Sequence, residues 1–135
     1  MRYLGVFLFI GIVLLQLSCK KDPQEVDSSK LEGKWKLVGR DFGLPDWKVD
    51  VEDGEELTFY PDSAFSKGVS KCSEGAYSVS GKFVTFDYSC PDKETLLSEG
   101  IQKWIFSIKD GNLILTPTFL ICDEGCTSFY KKISD

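Results

Sequence analysis

The stretch "AYSVSGKFVTFDYS", residues 76–89, decides the fold. Apolar and polar residues alternate on both sides of Gly81-Lys82, and alternation with period two marks a strand buried on one face. Glycine at the first position of a two-residue turn supplies the positive φ that a tight hairpin needs. Such a turn pairs Val79 with Val84 and Tyr77 with Phe86. Those four side chains then share one face, and Ser78, Thr85 and Asp87 share the other.

The same grammar extends outward in both directions. Before the hairpin lie "KWKLVGR" (34–40), "EELTFY" (55–60) and "SAFSKG" (63–68); after it lie "IQKWIFSI" (101–108), "NLILTPT" (112–118) and "TSFYKKI" (127–133). With residues 76–80 and 83–89 these make eight strands. Only "DKETLLSEG" (92–100) offers room for a short helical turn. The connections alternate strictly between tight and long. Pro61-Asp62, Gly81-Lys82 and Lys109-Asp110-Gly111 are tight, whereas 41–54, 69–75, 90–100 and 119–126 are long. In a meander, alternate connections lie at opposite ends, so one end carries tight turns and the other four longer loops. Eight short antiparallel strands must hide their edges, and closure does so. The predicted fold is therefore all-β, an eight-stranded up-and-down antiparallel β-barrel, whose interior is filled by side chains or holds one small ligand.

Alternation assigns an inward face of Trp35 and Leu37, Leu57 and Phe59, Phe65, and Tyr77 and Val79. It continues through Val84, Phe86 and Tyr88, then Trp104, Phe106 and Ile108, then Leu113 and Leu115. In the last strand the inward residue is Phe129 or Tyr130, with Phe129 assigned. The inward aromatics Trp35, Phe59, Tyr77, Phe86, Tyr88, Trp104 and Phe106 are core residues first and candidate ligand contacts second.

"LEGKWKLV" sets Gly33 and Trp35 in the G-x-W arrangement that opens lipocalins. With "ELTFYPDSAF", the central hairpin, "WIFSIKDGNLIL" and "CDEGCTSFYKK", the chain resembles the small lipocalin-like domains of bacterial envelope lipoproteins. The resemblance implies a barrel with one open end, and names no ligand. It implies a basic residue near the end of the barrel stacked on Trp35, here Lys131 or Lys132 rather than the usual Arg. It also implies that Trp47 lies over the mouth as a lid or contact; the alternative is a local cluster with Phe42 and Leu44.

The N-terminus fits that resemblance. Arg2 is followed by an uncharged stretch to Cys19, densest at residues 4–15. The run is shorter than the roughly 20 apolar residues of a spanning helix and has the layout of a secretory signal. It resembles a lipoprotein signal, although Gln16 stands where Leu is usual; an uncleaved membrane helix and an ordinary signal peptide are the alternatives. The expected organisation is a signal peptide (1–18), a lipidated Cys19 with a polar tether (19–30), and one barrel domain (31–135). The expected location is the bacterial outer membrane, and "KKD" after Cys19 resembles a surface-export signal, which implies its outer surface.

Composition excludes several functions. The chain carries a net charge of −5, which argues against nucleic acid, and has no histidine, which removes His triads and the commonest metal ligand. No nucleophile–base pair or nucleotide loop appears, so no catalysis and no cofactor are expected. The loop 41–56 holds seven acids, but Val49 stands where a calcium loop needs Asp, so it reads as a solvated acidic loop with no metal. Cys72, Cys90, Cys122 and Cys126 make an even number in an exported domain. Pairing Cys72 with Cys90 and Cys122 with Cys126 is favoured among three connectivities. The hairpin register sets Cys90 opposite Ser73, so the first bridge calls for a bulge near Gly75.

Two functions compete. One is a lipid-anchored barrel that binds a small apolar or amphipathic molecule at its open end. The other is a filled barrel that serves as a structural module or contacts an envelope protein. A cavity above roughly 300 Å³ at the long-loop end favours the first.

Overall fold

The computed structural model describes residues 27–43, 48–69, 71–90, 100–119 and 126–135. Cys19, Trp47, Cys122 and residues 92–99 of the turn predicted over 92–100 lie outside the described residues. Among the described residues nine strands are seen: β1 (Gly33–Asp41), β2 (Lys48–Asp50), β3 (Glu56–Phe59), β4 (Ala64–Lys67), β5 (Glu74–Ser80), β6 (Phe83–Tyr88), β7 (Ile101–Lys109), β8 (Asn112–Pro117) and β9 (Thr127–Ser134). All pairings are antiparallel, and β9 closes back on β1. Eight strands form the closed barrel. The ninth, β2, is a short flap that the sequence reading left inside a loop; it pairs with the far end of β1 through Gly39–Asp50 and Arg40–Val49.

The central hairpin has the predicted register, with Tyr77 opposite Phe86 and Val79 opposite Val84. The ladder runs without interruption to Gly75–Tyr88. The predicted bulge near Gly75 is thus absent. Strand β5 begins only at Glu74, so Cys72 precedes the pleated region and is not bound by its alternation. Cys72 and Cys90 form a disulfide with Cα atoms 5.3 Å apart.

The irregularities fall in the β1–β9 pairing instead, one between Lys34 and Trp35 and one between Leu37 and Gly39. Leu37 faces Tyr130 on β9, but Gly39 faces Phe129 and Arg40 faces Ser128, leaving Val38 without a partner on that side. On the other edge of β1, Lys36 faces Glu56 and Gly39 faces Asp50, so residues 51–55 are set against Leu37 and Val38 alone. Two backbone bonds hold the ends of that loop: Val51 N–H donates to Val38 O (2.9 Å) and Leu37 N–H donates to Glu55 O (3.0 Å). Gly54 sits in the crook, where an added Cβ would lie 1.9 Å from the Leu37 carbonyl oxygen.

The lower barrel is solid. Phe59, Phe65, Phe86, Leu57, Leu113 and Val84 are almost fully buried. Their rings meet edge to face, Phe65 against Phe86 at 4.7 Å and Phe59 against Tyr77 at 4.9 Å, a preferred aromatic geometry. In β9 the buried residue is Tyr130, and Phe129 is half-buried outside. Ile108 is also corrected. It lies beside the β7–β8 turn at the rim of the barrel and is 37% exposed.

The tight-turn end is closed by a 3₁₀ turn, Ser28–Lys30, with Asp27 accepting from Ser29 N–H. The turn delivers Leu31, which the strand pattern did not flag, into the core at 0% exposure. Trp35 Nε1–H donates to Leu31 O at 2.8 Å, and the Lys132 ammonium lies 5.7 Å from the Trp35 ring. Of the two lysines considered, Lys132 therefore takes the stacking position. Gly33, at φ 111°, has Ser134 O 2.6 Å from where a Cβ would stand.

Two outcomes follow from this frame. Gly54→Ala should destabilise the fold by more than about 1 kcal/mol, because backbone must move to admit the methyl group; urea unfolding of the variant measures it. Replacing Cys72 and Cys90 together by Ala should cost about 2–4 kcal/mol in the same assay, and reductant should then have a smaller effect on the variant than on the parent.

Candidate functional site

Above the solid core, at the long-loop end, lies a cavity of about 470 Å³. Its floor and walls come from the last inward-facing residue of successive strands. Tyr88 ends β6 and Trp104 lies in β7, and both continue the core's alternation. Gln102 is two residues before Trp104, Ser128 two before Tyr130, Lys67 two after Phe65, and Glu55 two before Leu57. Each has the parity of its buried neighbour, and all four line the cavity.

Arg40 lines it for a different reason. Regular alternation from Trp35 and Leu37 would turn Gly39 inward. The irregularity at Val38 shifts the register, so a Cβ at Gly39 would lie 3.8 Å from the outer Phe129 ring, while Arg40, opposite Ser128, lines the mouth from its exposed rim. Bulges re-aim side chains in this way.

The polar groups form a connected set. Lys67 Nζ lies 3.6 Å from Glu55 Oε1, and both side chains are largely shielded. Tyr130 O–H donates to Glu55 Oε1 at 3.1 Å. Lys67 also reaches across the barrel to 5.2 Å from the Trp104 ring. Burial pushes the Tyr88 hydroxyl up to about 12, with the negative charge of Glu55 adding to it. Burial raises Tyr130 well above the ordinary tyrosine value, again helped by Glu55. Both are neutral donors at any physiological pH. The Trp104 indole N–H is buried and has no acceptor among the described residues.

The predicted contact residues divide between core and cavity. Tyr88 and Trp104 line the cavity. Trp35, Phe59, Tyr77, Phe86 and Phe106 are buried core residues that do not line it, because the rings pack against one another and fill the lower barrel. Trp47 lies outside the described residues. Cys72 and Cys126 stand at the mouth; Cys126 is disulfide-bonded, and its expected partner Cys122 lies outside the described residues. Glu55 corrects the reading of 41–56 as a uniformly solvated loop, since its carboxylate turns inward to Lys67 and Tyr130. Lys67, Glu55, Gln102 and Ser128 were missed as site residues although parity alone marks them. Arg40 carried no such mark.

Among solved structures the chain is similar to a lipocalin-like protein from Bacteroides uniformis ATCC 8492, at 19% identity and a TM-score of 0.56, over 77% of this chain and 99% of that one. The fluorescent protein UnaG also matches, at 14% identity and a TM-score of 0.42, over 79% of this chain and all of UnaG. No protein-family model and no curated protein matches the sequence. The architecture is a lipocalin-like barrel.

Three tyrosines are raised by burial, Tyr77 as well as Tyr88 and Tyr130, and they set a pH dependence. Between pH 10 and 12 an unfolded chain loses these protons while the folded barrel keeps them, so stability is full below pH 10 and falls above it. The loss should reach at most about 1.4 kcal/mol per pH unit for each tyrosine. Urea midpoints at pH 9, 10 and 11 measure it, and Tyr88→Phe should flatten the slope.

Proposed function

We propose that this chain is a lipid-anchored binding protein of the bacterial outer membrane that takes a small apolar or amphipathic molecule in the mouth of its barrel. One observation carries the reading. The lower barrel is packed solid, yet about 470 Å³ stays open at the long-loop end, within the size range of small-molecule sites and walled by Tyr88 and Trp104.

The anchor reading rests on the residue pattern before Cys19. It also has a geometric consequence. The chain enters the barrel through the 3₁₀ turn, whose Ser29 lies beside Tyr60 and Pro61 of the tight β3–β4 turn, at the end opposite the mouth. Residues 20–26 can span at most about 25 Å. A lipid on Cys19 would therefore hold the closed end toward the bilayer and leave the mouth facing away. The second reading, a protein-interaction module, is favoured by Val49, Val69 and Ile101, apolar side chains left exposed near the same end.

Two measurements check the proposal. N-phenyl-1-naphthylamine, a neutral apolar dye, should show saturable one-site fluorescence enhancement with residues 20–135. Ser128→Trp, which fills the cavity, should abolish that enhancement while circular dichroism stays unchanged. Enhancement that is absent, or indifferent to Ser128→Trp, contradicts the reading. Expression of the full chain in a bacterium that processes lipoproteins should give a membrane-bound product starting at an acylated Cys19, and Cys19→Ala should release it from the membrane.

A further inference from the structure

We infer that the mouth cavity selects an amphipathic monoanion, with a carboxylate-class head group held at Arg40 and Lys67 and an apolar body resting on Trp104 and Tyr88. The inference deepens the binding reading and rests on it.

The charge balance of the mouth points to an anion. The described residues that line the cavity include two cations, Arg40 and Lys67, and one carboxylate, Glu55. That carboxylate is already engaged, by the Lys67 ammonium at 3.6 Å and the Tyr130 hydroxyl at 3.1 Å. Among the described residues Arg40 has no carboxylate within ion-pair distance. Among the described residues the cavity lining thus carries one positive charge more than it has carboxylates, in a chain whose net charge is −5. A local cation in an acidic protein is a specific device, since nothing in the overall field draws anions to it.

The backbone supports the same conclusion. Arg40 faces the mouth only because Val38 drops out of the β1–β9 ladder; regular pairing would present Gly39 and send the guanidinium to the outside. The guanidinium fork matches a carboxylate in two-point geometry. Gln102 and Ser128 add neutral donors to the lining. The Trp104 indole N–H, buried and without an acceptor among the described residues, is a further donor that an incoming acceptor would complete. The Trp104 and Tyr88 rings supply the apolar surface for the rest of the molecule.

A matched pair of probes tests this. The barrel closes on itself within residues 27–135, so isotopically labelled 20–135 serves. It is titrated at pH 7 with 4-phenylbutyrate and with its neutral amide, 4-phenylbutyramide, followed by backbone and indole N–H resonances. The acid should bind at least about tenfold more tightly, the scale of one charge-assisted hydrogen bond. The shifts should centre on Arg40, Ser128 and the Trp104 indole, and Arg40→Gln should remove the acid's advantage. Equal affinity for acid and amide overturns the inference and leaves the binding reading standing. A preference that survives Arg40→Gln overturns the role of Arg40. Binding of neither probe overturns the binding reading and this inference with it.

Discussion

The sharp bend of β1 at Leu37 and Val38 is the constraint on which the upper half of the barrel depends. On one edge, Val38 leaves the β9 ladder; on the other, residues 51–55 loop out between β2 and β3. The two irregularities sit at the same height, so the strand turns without opening the sheet. Leu37 N–H and Val38 C=O still find partners in Glu55 and Val51, which matters because an unpaired buried backbone group is costly. Three properties of the mouth follow: Arg40 is re-aimed, Glu55 is carried inward to Lys67 and Tyr130, and β2 becomes a flap beside the rim.

Below the bend the barrel behaves as a hydrophobic core. The large rings at Phe59, Phe65 and Phe86 are almost fully buried and fill the lower barrel, and the 3₁₀ turn with Leu31 closes the base against Trp35. Above the bend the inward positions change from rings to Glu55, Lys67, Gln102 and Ser128. That change of residue type at constant parity is the division between the part that holds the fold together and the part that can hold a ligand. A pocket of this kind needs the solid base, because the polar groups of the mouth are positioned by strands whose own stability comes from the rings beneath.

Much of this was legible in the residues. The 76–89 hairpin, its register, the strand count and most of the core follow from period-two alternation and turn chemistry. Parity counted onward from Phe65, Leu57, Trp104 and Tyr130 would have reached the polar wall as well; the reading stopped where the side chains ceased to be apolar. Arg40 and β2 were not legible. Both arise from register shifts, which depend on how two edges of β1 are paired at once, and local pattern does not encode that. Leu31 was missed because it enters from a 3₁₀ turn rather than a strand. The choice between Phe129 and Tyr130 was open because two adjacent rings satisfy either parity, and pairing with Leu37 decides it.

The most direct test of this account is the pairing of β1 with β9 in solution, read from cross-strand nuclear Overhauser effects. The bend predicts Leu37 opposite Tyr130 but Arg40 opposite Ser128, with Val38 unmatched. Contacts placing Arg40 opposite Thr127 instead would show a regular ladder, with Gly39 inward and Arg40 outside. That result would remove the guanidinium from the mouth and contradict the account of how the barrel builds its site.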